Sequence, residues 1–421
     1  MAFQPFMFIG NIQAFEKEGA DHVLTRLWDG GIRELVLGDL MLGVGDVQGP
    51  AFAPNRDHYA GIDAEPPALP EALVESAAVF RDAVKAAGDR GFKLYLHDWG
   101  QYRWFLDGAC LNDPEQILYG LARTRDTYEQ FPELSGFILD GPEYGYEIEP
   151  GHRSDVFAGL TPADENKARQ LGYDADVLRA APARLKGVLQ SLGAEGMRGF
   201  VESRGGPFDT VDLLLRAPEV FDLIRFRTDC IQDYVGAFHG CVKELDLGLE
   251  LACGPRTSAF APLTGYNYRR LREVTDFFCP KLYFWQHGID GLKGTLYRYA
   301  KTMMEWNADA DESLALRFAE WLFDLAVPGA TTLDDLSQPL SPEFFQETVP
   351  AEIAKMIHRS GGADVLRPWL GLHHGGVRIS TRELEQMLDA VAHSGLHSMI
   401  YWHYSDMTEE EWTTLKRYIG R

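Results

Sequence analysis

The sequence predicts an α/β fold, a (β/α)₈ TIM barrel. Eight short apolar runs with the character of β-strands recur along the chain, and segments with helical spacing separate them. The runs are continuously apolar, which is typical of parallel strands that are covered on both faces. The turn after the first run, Ile9 to Gln13, lacks the glycine-rich phosphate loop of a doubly wound sheet, so the barrel is favoured over that alternative.

The strand predictions rest on short runs of large apolar residues that end in glycine or a polar residue. The predicted strands are Pro5 to Gly10, Glu34 to Gly38, Lys93 to His97, Gly136 to Asp140, Leu249 to Gly254, Phe277 to Trp285, Trp369 to His373 and Ser398 to Tyr404.

Helical patterns fill the intervals. Pro70 to Ala87, Glu219 to Leu245 and Thr381 to Ser394 each carry apolar residues at helical spacing. Two intervals are too long for one crossover and predict insertions, at about 144–211 and 291–364, on a single barrel domain that spans 1–421. The insertions contain further helical stretches, at Ala163 to Leu192, Glu312 to Leu325 and Pro342 to His358. Long insertions on a barrel usually decorate its catalytic face.

Composition and charge narrow the classes of partner. The 421 residues are 45% hydrophobic and 12% aromatic, which supports a sizeable core and excludes a disordered chain. With 40 basic and 63 acidic residues the net charge is −23. Such a surface repels phosphate groups, so we expect neither nucleic acid nor an anionic membrane as a partner. A neutral ligand such as a sugar is compatible with this charge.

The five cysteines form no CxxC pair and no zinc-binding spacing, so we expect a reduced, cytoplasmic protein. We find no secretory signal and no apolar stretch long enough to cross a bilayer. The sequence does not indicate an oligomeric state.

Polar and aromatic residues follow nearly every predicted strand, and in a barrel the active site lies at the C-terminal ends of the strands. One polar residue at a strand end is explained by a cap or a turn. Acids, histidines and tryptophans on the same rim indicate a binding site. The residues predicted to bind substrate are Asp39, His97, Asp98, Trp99, Arg256, Lys281, Tyr283, Trp285, His287, His373, Trp402 and His403.

The end of the fourth strand carries the clearest catalytic signal. In Leu139-Asp140-Gly141-Pro142-Glu143 two carboxylates lie three residues apart. The Gly-Pro pair between them opposes a helix start and orients Glu143. Two carboxylates, one protonated and one ionised, are what glycoside hydrolysis requires. Trp99, Trp285 and Trp402 could stack on the apolar faces of sugar rings. We therefore predict Glu143 and Asp140 as the catalytic residues.

The histidines also allow a metal site. Its candidate ligands are His97, Asp98, His287, His373, His374, His403 and Asp406. Nitrogen and oxygen ligands of this kind bind zinc or manganese. No HxH or HExxH spacing occurs, so no metal ligand and no cofactor is predicted, and a divalent metal is kept as an alternative.

Three segments resemble barrel glycoside hydrolases of clan A. Ser135 to Tyr144 is similar to their fourth-strand region, in which an acid/base glutamate follows the strand. Val274 to Tyr283 resembles their D-F-x-P-K-x-Y sixth strand, and Gly395 to Trp402 their last strand with its tryptophan sugar platform. The chain differs at the end of strand seven, where a clan A nucleophile glutamate would stand and Leu372-His373-His374-Gly375 occurs instead. It also differs from the DxxDxDxE motif of chitinases in the spacing of Asp140 and Glu143.

The resemblance and the residues predict a glycoside hydrolase-like enzyme with a carbohydrate substrate. Glu143 would be the general acid/base, with Asp140 as its partner or as the second carboxylate. The alternatives are that another strand supplies the second carboxylate, from Asp39, Asp98 or Asp406, that the mechanism differs, or that catalysis has been lost. Tyr283, Trp285 and Trp402 would line the sugar site, while Arg256 and Lys281 would bind hydroxyls or an acidic substituent. The alternatives are a metal-dependent barrel hydrolase or isomerase and a non-catalytic sugar-binding barrel.

Overall fold

The computed structural model describes residues 3–10, 13–38, 40–44, 46–98, 110–283, 291–371, 373–374 and 377–420. At its centre lies one sheet of nine parallel strand segments, whose order is Phe277–Phe278, Glu250–Cys253, Gly136–Leu139, Lys93–Asp98, Glu34–Leu37, Phe6–Ile9, Ile400–Trp402, Trp369–Gly371 and Lys281–Leu282.

The sheet closes into a barrel because its first and last segments belong to one stretch of chain. Phe277–Phe278 pairs with the fifth strand, and Lys281–Leu282 pairs with the seventh. Between them the amide of Cys279 donates to the carbonyl of Cys253 at 2.8 Å, and the carbonyl of Pro280 accepts from Trp369 at 2.8 Å. The predicted (β/α)₈ barrel is confirmed.

The sixth strand differs from its prediction as one continuous run from Phe277 to Trp285. It is divided at Pro280, which has no amide hydrogen to give to the ladder. The part of the predicted run beyond Tyr283 lies outside the described residues.

Alternation along the strands explains why the runs are continuously apolar. In the first strand Met7 and Ile9 belong to the core beneath the helices, whereas Phe6 and Phe8 point into the barrel. Both faces of each strand are therefore buried, as expected for a parallel sheet. The barrel interior is a separate cluster composed of Phe6, Phe8, Val36, Tyr95, Ile138, Ala252, Phe277, Cys279, Tyr283, Trp369 and Ile400.

Helices surround the barrel and fill the long intervals. Their bounds are Gln13–Glu18, Ala20–Asp29, Val74–Asp89, Pro114–Gln130, Pro162–Leu171, Ala175–Gln190, Gly193–Glu202, Pro207–Leu215, Glu219–Leu245, Tyr268–Leu271, Leu292–Trp306, Glu312–Phe323, Val349–Ser360, Thr381–His393 and Glu409–Lys416. The structure also contains two short antiparallel hairpins. Met41–Val44 pairs with Val47–Pro50, and His373–His374 pairs with Val377–Arg378. Among the described helices, none is long and apolar enough to cross a membrane. The cytoplasmic location stays a prediction.

One predicted helical stretch, Ala163 to Leu192, is instead two helices. Gly172 ends the first in the left-handed conformation, with φ 81°, and the side chain of Asp174 caps the second. The division of the chain into one domain with insertions at about 144–211 and 291–364 stays a prediction.

A buried ion pair attaches the loop after the fourth strand, residues 141–161, to a neighbouring helix. Arg298, on the helix Leu292–Trp306, lies 2.5 Å from Oε1 of Glu147, whose side chain is completely buried. Thr295 donates to the same oxygen at 2.7 Å, and the hydroxyl of Tyr299 donates to the carbonyl of Tyr146 at 2.7 Å. These contacts fix the loop that carries Glu143.

We expect Arg298→Met to lower the free energy of unfolding by about 3–5 kcal/mol, because it leaves the buried carboxylate of Glu147 without a cation. Urea denaturation measures the loss. The double variant Glu147→Gln/Arg298→Met removes the charge as well and should recover part of it. An Arg298→Met protein as stable as the wild type would contradict this role, and Lys85→Met, in an exposed pair with Asp89, serves as the control without an effect.

Candidate active site

A cavity of about 970 Å³ opens at the C-terminal end of the barrel. Strand ends form its base, and the loop 141–161 with the start of the helix Glu219–Leu245 forms its outer wall. Of the residues predicted from sequence, the cavity is lined by His97, Asp140, Glu143, Arg256, Lys281, Tyr283, Trp402, His403 and Asp406. They come from the third to sixth and the eighth strands and share one mouth.

The side chains of the other predicted site residues are not among those that the structure describes. Asp39, Trp99, Trp285 and His287 lie outside the described residues. The remaining three belong to strands whose backbone is described while their side chains are not; they are Asp98, His373 and His374.

Asp140 follows the fourth strand and is held between Lys281 and His97. Its Oδ2 lies 3.1 Å from Nε2 of His97, and its Oδ1 forms an ion pair with the buried ammonium of Lys281. Burial alone would raise the pKa of Asp140, but the Lys281 charge and the His97 hydrogen bond outweigh it, so this pKa lies well below its usual value. Asp140 is therefore ionised at neutral pH.

Two glycines give the strand-four carboxylates their positions. Gly141 adopts φ 96°, a left-handed conformation that residues with a Cβ rarely take, and so turns the chain directly after Asp140. Gly254, on the neighbouring strand, leaves room for Asp140, because a Cβ there would lie 3.3 Å from Oδ1.

Glu143 is bound by Arg256 through both carboxylate oxygens. Nε of Arg256 donates to Oε1 at 2.8 Å and to Oε2 at 3.0 Å, and Nη2 also donates to Oε1. The side chains of Arg256 and Glu143 are only 7% and 10% exposed. The guanidinium lies 5.5 Å from the ring centre of Tyr146, so a cation–π contact holds its other side. The pair therefore sits in a fixed, largely dry position.

Aromatic rings form the wall opposite the loop. The ring of Trp402 lies 5.4 Å from that of Tyr283 and 6.1 Å from those of Phe8 and Trp369. Burial, and next the charge of Asp140, raise the pKa of Tyr283 well above its usual value, so its hydroxyl keeps its proton. The Trp402–His403 peptide bond is cis. The wall offers flat apolar surface beside the carboxylates.

The histidines of the described part of the mouth bind carboxylates. His97 contacts Asp140, and Nε2 of His403 lies 2.8 Å from Oδ2 of Asp406. Among the described residues, no group of three or more His, Cys, Asp or Glu is arranged to hold a metal ion. The metal alternative thus gains no support from the residues whose side chains are described.

Several cavity residues were not predicted from sequence. Arg227 is 3% exposed and lies within the apolar stripe of the helix Glu219–Leu245, next to Leu223 and Cys230. A charged residue at such a position is the signal that would have identified it. Asp164 and Thr161 form a capping box at the helix Pro162–Leu171, which is also visible in sequence. Phe8 and Trp369 complete the aromatic wall.

Comparison with known proteins shows the fold. No protein-family model matches the sequence, and no curated protein matches it. The glycoside hydrolase domain of PgaB (BpsB) from Bordetella bronchiseptica is 10% identical, with a TM-score of 0.51 over 98% of both chains. The catalytic domain of β-amylase from Paenibacillus polymyxa is 11% identical, with a TM-score of 0.51 over 99% of this chain and 97% of that one.

A third structure, β-galactosidase from Marinomonas ef1, is 11% identical with a TM-score of 0.52, and the match covers 99% of this chain and 58% of that one. At these identities the likeness concerns architecture alone. The chain has a TIM-barrel fold similar to that of these three solved structures.

The ion pairs of Asp140 predict a pH-dependent stability. Because its pKa in the folded state is lowered, Asp140 should stabilise the protein fully above the unfolded-state pKa of about 3.9, and this contribution should be lost as the pH falls further. The destabilisation caused by Asp140→Asn, measured by urea denaturation, should therefore be largest at pH 7 and decrease below about pH 4. In a Lys281→Met background this pH dependence should shrink. A pH-independent difference would contradict the assignment.

Proposed function

We propose that the protein is a carbohydrate-active enzyme that hydrolyses a glycosidic bond, with Glu143 as the general acid/base and Asp140 as its ionised partner. The observation that carries the proposal is the placement of these two carboxylates on the same cavity as the rings of Tyr283 and Trp402. Glycoside hydrolysis uses two carboxylates of different protonation, and aromatic rings bind the apolar faces of sugars.

The contacts of the two carboxylates support different roles. Asp140 is kept ionised by Lys281 and His97, which suits a group that stabilises positive charge on the reacting sugar. Glu143 is the candidate for proton transfer. Oε2 of Glu143 accepts one hydrogen bond, from Nε of Arg256 at 3.0 Å, whereas Oε1 accepts two, from Nε and Nη2. We therefore assign proton exchange with the leaving oxygen to Oε2.

The neighbours in fold support a carbohydrate substrate. They are a glycoside hydrolase domain, a β-amylase and a β-galactosidase. Arg256 and Lys281 would hold the two carboxylates rather than bind sugar hydroxyls directly, which changes the role that the sequence suggests for them.

Sugar binding without turnover is a second candidate. It is favoured by the pairing of both carboxylates with cations, since a carboxylate held by an arginine needs to release a contact before it can transfer a proton. Titration calorimetry and product analysis with the same sugars separate the candidates. Binding without products would favour this second function.

For the enzyme, Glu143→Gln should lower turnover of alkyl glycosides by about 10²–10⁴-fold, because it removes the ionisable group and keeps the shape. Aryl glycosides with activated phenol leaving groups need less protonation and should be affected less. Rates with both substrate types measure the effect, on variant protein that circular dichroism shows to be folded at the assay temperature.

Glu149→Gln is the matched control, since Glu149 lies on the same loop and pairs with Lys301 at 3.6 Å without lining the cavity. Its rates should equal those of the wild type. A Glu143→Gln protein with wild-type rates on alkyl glycosides would remove Glu143 from the reaction.

A further inference from the structure

The cavity has a second region, which the two carboxylates do not occupy. We call it the outer chamber. The apolar part of its wall is formed by Leu111, Ala158, Gly159, Leu160 and Leu223 together with the loop residues Tyr144 and Gly145, and its polar part by Arg153, Ser154, Asp155, Thr161, Asp164 and Arg227. Glu143 also lines the cavity, and the next residue, Tyr144, lies in the outer chamber against Arg227. The total volume of about 970 Å³ is at the upper end of the range for small-molecule pockets.

The charged side chain of Arg227 in the outer chamber is hydrogen-bonded mainly to backbone carbonyls. Arg227 donates to the carbonyls of Gly145, Leu263 and Val156 at 3.0–3.2 Å. It also lies 5.2 Å from the ring centre of Tyr144. These contacts direct the guanidinium into the protein and cover one face of the tyrosine ring.

The carboxylate of Asp164 is also hydrogen-bonded to protein groups. Its Oδ2 accepts from the amide and the hydroxyl of Thr161 at 2.8 Å, and its Oδ1 accepts from Asn112 at 2.8 Å. The same Asn112 side chain donates to the hydroxyl of Tyr144 at 2.8 Å. Asp155 accepts from the amide of Phe157 at 2.8 Å, and Arg153 stands exposed at the rim.

We propose that the outer chamber binds an apolar aglycone, so that the preferred substrate is a glycoside of a hydrophobic alcohol. This inference rests on the proposed function, because it assigns the leaving group of the bond that Glu143 would protonate. The chamber presents leucine, alanine and glycine surface, and beside it the carboxylate of Asp164 and both terminal nitrogens of Arg227 are already hydrogen-bonded to protein groups. A second sugar ring would bring several hydroxyls into this region, and their loss of water would go uncompensated. Binding of an alkyl or terpenoid group instead removes apolar surface from water, which is favourable and breaks no hydrogen bonds.

Methyl and n-octyl glycosides of glucose and of galactose are the probes, used below the micelle concentration in titration calorimetry and in turnover assays with the full chain. For at least one of the sugars the octyl glycoside should bind about tenfold or more tightly than the methyl glycoside. Leu160→Ser and Ala158→Asp should reduce this ratio by about tenfold, since they remove apolar contact or add a charge in the chamber. Leu160 is half-buried and Ala158 exposed, so both variants should fold.

Leu118→Ser is the matched control, because Leu118 is a 53% exposed leucine that does not line the cavity. It should leave the ratio unchanged. Equal binding of the two glycosides, absence of binding by both, or an octyl preference that Leu160→Ser and Ala158→Asp do not alter would overturn the inference. Turnover tests the proposed function separately. Hydrolysis without an octyl preference would refute the aglycone site and leave the hydrolase function standing. An octyl preference that depends on Leu160, without hydrolysis, would support the aglycone site and refute the hydrolase function.

Discussion

Two cations from neighbouring strands hold the two acids of the fourth strand, and the arrangement of the mouth depends on this pairing. Lys281 and Arg256 lie side by side across the fifth and sixth strands, and each faces one carboxylate, Asp140 or Glu143. A carboxylate removed from water is strongly disfavoured unless a cation and hydrogen bonds compensate it. The pairs therefore allow two acids to lie in a mouth that also contains the rings of Phe8, Tyr283, Trp369 and Trp402.

The barrel was predictable because its strands are buried on both sides. Runs such as Gly136 to Leu139 contain no polar side chain, and neither an amphipathic helix nor a half-exposed sheet produces this pattern. The division of the sixth strand was missed, although Pro280 carries the signal, because its place relative to the partner strands depends on register. The break at Gly172 was missed because helical spacing continues on both sides of it.

The candidate site was predictable in its composition and not in its pairings. A residue at a strand end can be assigned to the mouth of a barrel, as His97, Asp140 and Trp402 were, because parallel strands place their C-termini together. Which cation faces which acid depends on the relative stagger of three strands. Arg227 was not predicted because it lies 84 residues beyond Glu143 in the sequence. Its place in the apolar stripe of its helix marks it as a buried charge, but does not indicate that the helix packs against the loop 141–161.

The loop 141–161 and the sixth strand share one support. The amide of Leu292 donates to the carbonyl of Tyr283 at 2.9 Å, which joins the end of that strand to the helix Leu292–Trp306. The same helix holds the loop through Arg298 and Glu147. One helix therefore couples the strand that carries Lys281, the cation of Asp140, to the loop that carries Glu143. A substitution that shifts this helix is transmitted to both ion pairs, although neither carboxylate touches it.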